Sequence, residues 1–176
     1  MLSDVPFAIR PLADYPGAVL PEETETSYRG NALLKARTAA RLTGAWALAD
    51  DSGLEVDALD GAPGIHSARY GGAGLDDTGR CAALLATLRE VPDDRRTARF
   101  RCVIAIVDDG GRESVVEGVV DGTITRAPRG TGGFGYDPLF YYPPLARTFG
   151  ELTDAEAWRV SHRARAAALA RRLLSG

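Results

Sequence analysis

Apolar residues along this chain recur first at a spacing of three to four and then at a spacing of two. From Tyr28 to Leu42, Ala32, Leu33, Ala36, Ala39 and Ala40, with Thr43, share one helical face, and Gly44 supplies a stop. Ala45-Trp46-Ala47-Leu48-Ala49 is continuously apolar and predicts a short buried strand. Asp50-Asp51-Ser52-Gly53 breaks it, and Leu54, Val56 and Ala58 then alternate with Glu55 and Asp57 as a second strand. Asp60 to Leu75 is rich in glycine and proline and reads as a loop. Asp76 or Asp77 caps a helix running to Glu90, with Leu84, Leu85 and Leu88 inward and Pro92 beyond it. The clearest strand carries Phe100, Cys102, Ile104 and Ile106 on one side. Asp108-Asp109-Gly110-Gly111 is a hairpin turn, Glu113 to Val120 returns, and Gly122 to Thr125 extends the sheet. Thr153 and Glu156 form a capping box opening one closing helix, with Val160, Ala164, Ala167, Ala168 and Leu174 as its buried stripe. Val5 to Ile9 predicts a short strand, and Pro11 to Thr26 a loop. The order of elements predicts an α/β fold with a twisted sheet.

A length of 176 residues suits one α/β domain or two closely joined lobes. The net charge of −3 gives no basic footprint for nucleic acid. Lys35 is the only lysine among many arginines. Cys81 and Cys102 lack metal-ligand spacing and read as core, which fits a reducing cytoplasm. Neither a signal peptide nor a membrane-spanning stretch is expected.

Three groups of residues carry candidate chemistry. Side chains on a strand alternate faces, so Asp50 and Asp51 can share one ligand only where the backbone bends, and Ser52-Gly53 predicts such a bend. Two carboxylates beside a hydroxyl then suit a hard cation such as Mg²⁺, and a free carboxylate there can deprotonate water. A solvated turn is the plainer reading of the same four residues. The second group is the glycine loop Gly130-Thr-Gly-Gly-Phe-Gly-Tyr-Asp-Pro138. Its amides can approach an anion or a flat ring, Phe134 can stack on a base, and Asp137 can accept from a base edge. A hairpin connector with Phe134 tucked inward is the competing reading. The third is Ser161-His162-Arg163, where histidine beside arginine reads a base or phosphate, or is simply structural.

Taken together and in order, five segments resemble the inosine triphosphate pyrophosphatase family. They are Asn31-Ala-Leu-Leu-Lys35, Ala49-Asp-Asp-Ser-Gly-Leu54, Gly61-Ala-Pro-Gly-Ile-His-Ser-Ala-Arg-Tyr70, Gly130 to Pro138, and Ser161-His-Arg163. The resemblance implies hydrolysis of ITP, dITP and XTP to monophosphate and pyrophosphate. It implies Mg²⁺ held by Asp51, Asp50 and Glu22, with Asp51 the catalytic carboxylate. Lys35, Ser52 and Arg69 are implied as substrate contacts. Phe134, Gly135, Tyr136 and Asp137 are implied as the base pocket, and His162 and Arg163 as readers of the purine 6-oxo group. The implied fold is a long mixed, twisted sheet with two lobes around a cleft, usually a cytoplasmic homodimer.

The chain departs from the family pattern at several places. It starts after the first strand and helix and the Thr/Ser-x-Asn-x-x-Lys phosphate loop, with Leu2-Ser3-Asp4 resembling the end of the helix that follows. Ala157 stands where the family carries a lysine. Ser27-Tyr28-Arg29-Gly30-Asn31 replaces Thr-Phe-x-Glu-Asn, and Glu25 replaces a glycine. A catalytically silent nucleotide-binding protein of the same fold is the alternative these departures favour.

Overall fold

The first helix is fixed at both ends by its own sequence. In this computed structural model, which describes residues 7–175, the Ser27 hydroxyl accepts the Gly30 N–H, and the chain leaves the helix at Gly44. The resulting α1 (Tyr28–Thr43) buries Ala32, Leu33, Ala36 and Ala39, the stripe expected from periodicity. Then follow β1 (Ala47–Val56), α2 (Asp77–Thr87), β2 (Thr97–Val107), β3 (Glu113–Ile124), β4 (Phe140–Tyr142), β5 (Arg147–Thr148), α3 (Asp154–Val160) and α4 (His162–Ser175). The strands form one sheet in the order β1-β2-β3-β4-β5. β2 and β3 are joined by the expected turn, where the Gly111 N–H donates to the Asp108 carbonyl at 3.0 Å. β4 runs antiparallel to both neighbours, with Thr123 opposite Tyr141 and Tyr141 opposite Thr148. The α/β class expected from the element order is the class observed.

The chain divides into two compact units. One holds the described residues up to Asp51, Cys102–Gly118 and the residues from Arg163 on. Here Cys102, Ile104 and Ile106 of β2 pack with Ala166, Ala167 and Ala170 of α4. The alternate residues Val103, Ala105 and Val107 are buried as well, so both faces of this stretch of β2 are covered. The other unit comprises Ser52–Arg101 and Val119–His162. Its core gathers Leu54, Val56, Leu84, Leu88, Phe100, Val120, Leu139, Phe140 and Phe149. The Phe100 ring lies 4.4 Å from that of Phe140, and full burial of such side chains contributes roughly 2 kcal/mol each.

Several expectations need correction. The acidic segment does not break the strand: β1 runs unbroken from Ala47 to Val56. Pairing along the sheet outweighs the turn preference of Asp, Ser and Gly. The stretch Ala45–Ala49 is not buried either, since Trp46 and Leu48 are exposed and β1 ends the strand order. The closing helix is two helices, separated at Ser161, whose ψ of 156° is extended; the capping box of Thr153 and Glu156 opens α3 as expected. In α4, Ala166, Ala167 and Ala170 are buried while Ala168 is exposed. The proposed Val5–Ile9 strand falls partly outside the described residues, and Phe7 to Ile9 are exposed and not in a strand. Leu2-Ser3-Asp4 lies outside the described residues.

Candidate active site

Because β1 stays extended through both residues, Asp50 and Asp51 point to opposite faces. Asp51 turns towards α1. Asn31 and Lys35 are four residues apart there, hence on one face of the helix. The Asn31 amide donates to Asp51 Oδ2 at 3.3 Å, and its Oδ1 accepts the Glu25 N–H at 3.0 Å. The Lys35 ammonium donates to Glu23 Oε1 at 2.8 Å and to Asp51 Oδ1 at 3.3 Å. Asp51 is only 7% exposed. Burial lifts its carboxyl above the ordinary carboxylate range, Glu23 adds to the lift, and Lys35 and Asn31 oppose it. Burial alone would lower the Lys35 amine, but its hydrogen bond to Glu23 and the Asp51 charge raise it overall. The result is a nearly buried carboxylate oriented by an amide and bridged to a second carboxylate by one cation.

Asp50 faces the other way. Its Oδ2 lies 3.6 Å from Arg163 Nε of α4, and the Cys102 thiol lies 3.8 Å from the same oxygen. Burial first, and the Asp50 charge second, push the Cys102 thiol up to about 12, so it stays protonated. The bend that was to bring Asp50 and Asp51 onto one ligand is absent.

Among the described residues, no group of three or more His, Cys, Asp or Glu side chains is placed to hold a metal ion. A hard cation that keeps its waters and shares phosphate oxygens needs only one or two carboxylates. Asp51 and Glu23 fit that requirement, since both already place an oxygen on the Lys35 ammonium. Glu22 is exposed, and Asp50 lies on the opposite face. The structure therefore gathers Glu23, rather than Glu22 or Asp50, with Asp51.

In the second unit the glycine loop is held open at Phe134. Gly133 has φ +72°, and a Cβ there would lie 2.2 Å from Asp137 Oδ2, so only glycine lets that carboxylate close the loop. Asp137 uses this oxygen to accept the Phe134 N–H at 2.9 Å. Tyr136 is buried, and its hydroxyl donates to the Ser67 carbonyl at 2.8 Å; burial raises its pKa. The Gly135 N–H donates to Asp77 Oδ2 at 2.7 Å, and the Cys81 thiol donates to the Gly135 carbonyl at 3.3 Å. The Phe134 ring is thereby left 61% exposed, and the hairpin reading with Phe134 inward is wrong. Tyr136 and Asp137 shape the loop from beneath. His162 is buried and stacked on Phe100, with centroids 4.8 Å apart and planes at 15°. Ser52 is half-buried, and Arg69 is exposed at the end of the short helix Gly64–Arg69.

Some of these partners were not assigned from sequence. Asn31 is fully buried on an otherwise apolar helix face, and that misfit was the signal available. Glu23 lies within the Pro11 to Thr26 stretch, which by sequence reads only as a loop. By sequence Asp77 is a possible cap, yet Asp76 does the capping, accepting the Gly79 N–H at 2.8 Å, which leaves Asp77 for the glycine loop. An apolar cavity of about 520 Å³ in the first unit, lined by Phe7, Ile9, Trp46, Leu48, Ile106 and Leu174 among others, includes none of the candidate residues.

Comparison with known proteins gives concordant results. A family model described as the Ham1 family matches residues 1–173. A dITP/XTP pyrophosphatase of Desulforamulus reducens is 48% identical over 99% of this chain and 87% of its own length. One from Shigella flexneri is 49% identical over 94% and 85%. The solved structure of a HAM1 protein from Coxiella burnetii superposes with a TM-score of 0.92 at 40% identity, covering 98% of this chain and 88% of that one. A nucleoside-triphosphatase, dITP/XTP pyrophosphatase, from Mycobacterium abscessus superposes at 0.77 with 48% identity, covering 90% and 80%.

Proposed function

The chain belongs to the Ham1 family, and from that premise we propose how its residues carry out the activity of its relatives. It is a nucleoside triphosphate pyrophosphatase that hydrolyses non-standard purine nucleoside triphosphates, of which dITP and XTP name the relatives and ITP is the ribose counterpart. Water attacks the α-phosphorus, the bond to the β-phosphate oxygen breaks, and nucleoside monophosphate and pyrophosphate leave. Asp51 accepts the proton of that water at a carboxylate oxygen. Its orientation comes from the Asn31 amide, and its ionised form is favoured by Lys35. Mg²⁺, in this proposal held by Asp51 and Glu23, supplies positive charge against the triphosphate when bound. Lys35, with Ser52 and Arg69, contacts phosphate oxygens.

Phe134 stacks on the base from a loop whose backbone is already tied. Arg163, oriented by Asp50, donates to the purine 6-oxo group, and His162 fixes the start of α4 by packing on Phe100. An adenine amino group would leave that guanidinium without an acceptor, which disfavours ATP and dATP. We also propose that the protein acts as a cytoplasmic homodimer. No helix among the described residues is long and apolar enough to cross a membrane. Exposed Leu42, Trp46 and Leu48 are apolar surface that a second copy would cover.

The observation that carries the reading is the convergence of Asn31, Lys35 and Glu23 about the nearly buried Asp51. The test is pyrophosphate release from dITP, XTP, dGTP and dATP, with and without Mg²⁺, by the native protein and Asp51→Asn. Release from dITP and XTP should exceed that from dATP and fall at least about a hundredfold in the variant. Equal rates for native protein and variant would end the proposal.

A further inference from the structure

Helix α2 takes no part in the chemistry just described, yet its first turn reaches the base-recognition loop. Asp77 and Cys81 stand four residues apart, so their side chains leave the same face of the helix. Both end on one residue of the glycine loop. Asp77 Oδ2 accepts the Gly135 N–H at 2.7 Å, and the Cys81 thiol donates to the Gly135 carbonyl at 3.3 Å. The two peptide groups that flank the Gly135 Cα, including the one that follows Phe134 directly, are therefore each held by α2. Within the loop, Phe134 is held on its other side by Asp137, which accepts its N–H.

Arg80, on the same turn, ties Asp77 in place. It forms an ion pair with Asp77 and donates to the carbonyls of Leu75 and Ala68. Ala68 belongs to the Gly64–Arg69 helix, and the neighbouring Ser67 carbonyl accepts the Tyr136 hydroxyl. One helical turn thus links the segment that ends in Arg69 with the segment that carries Phe134.

We propose that Asp77 and Cys81 are positioning residues for the base: they set the direction of the Phe134 ring by holding Gly135, and through it they control how tightly the purine is bound. The proposal rests on the reading of Phe134 as the stacking residue. An exposed ring on a glycine-rich loop has many orientations available, and only one presents its face to the base. Each backbone tie removes alternatives before substrate arrives, so ordering is not charged against binding. Both groups suit the task chemically. An ionised carboxylate makes a charge-assisted bond to an N–H, stronger than a neutral one. The Cys81 thiol, pushed up to about 11 first by burial and then by the Asp77 charge, keeps its proton as a donor.

The signature lies in which kinetic parameter moves. Stacking on the base is made equally in the bound substrate and in the transition state, so loosening it raises KM and leaves kcat nearly unchanged. The experiment measures dITP hydrolysis by the full chain and by Asp77→Ala, Asp77→Asn, Phe134→Ala and the Asp77→Ala/Phe134→Ala double variant. Thermal melting of each confirms that it is folded. Asp77→Ala should raise KM about tenfold with kcat within about twofold of native. Asp77→Asn, which keeps one acceptor oxygen, should recover part of the loss. The double variant should match Phe134→Ala alone, because with the ring gone there is nothing left to aim. An unchanged KM in Asp77→Ala overturns the inference, as does a double variant in which the two losses multiply. If Phe134→Ala itself leaves KM unchanged, the stacking reading fails instead. Cys81→Ala and Cys81→Ser provide a second route: serine, still a donor, should lie closer to native KM than alanine, and the reverse order counts against the proposal.

Discussion

Replacing Lys35 with methionine removes the single cation that Glu23 and Asp51 share while keeping an unbranched side chain of similar reach. At 3.3 Å and an effective dielectric of about 20, the Lys35–Asp51 attraction is about 5 kcal/mol before desolvation is counted. The side chains are only 13% and 8% exposed, so solvent screens this pair weakly. Taking the amine out of water opposes much of the gain, and the net effect on the ionised Asp51 is about 2 kcal/mol. In kcat/KM for dITP near neutral pH that is a loss of roughly thirtyfold, to which the lost phosphate contact adds. The pH profile separates the two contributions. Burial already lifts the Asp51 carboxyl and Glu23 lifts it further, whereas Lys35 pulls it down. Without Lys35 the upward influences act unopposed except by Asn31, so the acid limb of kcat/KM moves to higher pH. Lys35→Arg keeps the charge and should leave that limb nearer its native position. The assay is initial-rate pyrophosphate release across the acidic and neutral range. An acid limb in the native place, together with kcat/KM within about twofold of native, would refute the idea that Lys35 sustains the ionised form of Asp51.

Three other perturbations follow from the geometry. Asp51→Asn should abolish dITP hydrolysis without lowering the melting temperature near neutral pH, because it removes a buried charge while Lys35 keeps Glu23; a clear drop in melting temperature would contradict this. Glu156 is held down to about 2 by the Arg147 guanidinium first and by the Thr153 N–H and hydroxyl next, so its stabilisation is present above the ordinary glutamate range and lost as pH falls towards about 2. Glu156→Gln should therefore lower the melting temperature near neutral pH and lose that difference in acid, and calorimetry at both pH values decides. Gly130 has φ +75°, and a Cβ there would stand 2.0 Å from the Gly150 carbonyl oxygen. Gly130→Ala should cost about 3 kcal/mol or more in urea unfolding, and a cost under about 1 kcal/mol would show that the loop can yield.

Sequence reading succeeded where the signal was local. The α1 stripe, the Asp108–Gly111 turn, the Asp76 cap and the Thr153–Glu156 box each depend on residues within a few positions of one another. It failed where a distant partner decides. Asp50-Asp51-Ser52-Gly53 carries turn residues, but pairing along the sheet keeps β1 extended. Nothing near Asp77 reveals that Gly135, 58 residues on, takes its carboxylate. The ordered motifs led to the family. The neighbour that accompanies Asp51, Glu23 rather than Glu22, depends on how a loop folds back on α1, and one-residue differences of that kind have no periodicity to reveal them.

The continuity of β1 has a consequence for inheritance and for engineering. Two adjacent aspartates serve two different environments, one against Lys35 and one against Arg163, and only the parity of the strand tells them apart. An insertion or deletion of a single residue would exchange their places while leaving the composition of the motif intact. What guards the distinction is the anchoring of the strand further along: Leu54 and Val56 are fully buried, and the Leu54 N–H donates to the Ser67 hydroxyl at 2.9 Å. Ser67 and Leu54 are therefore keepers of phase, and variants at either can silence the enzyme without touching a charged group.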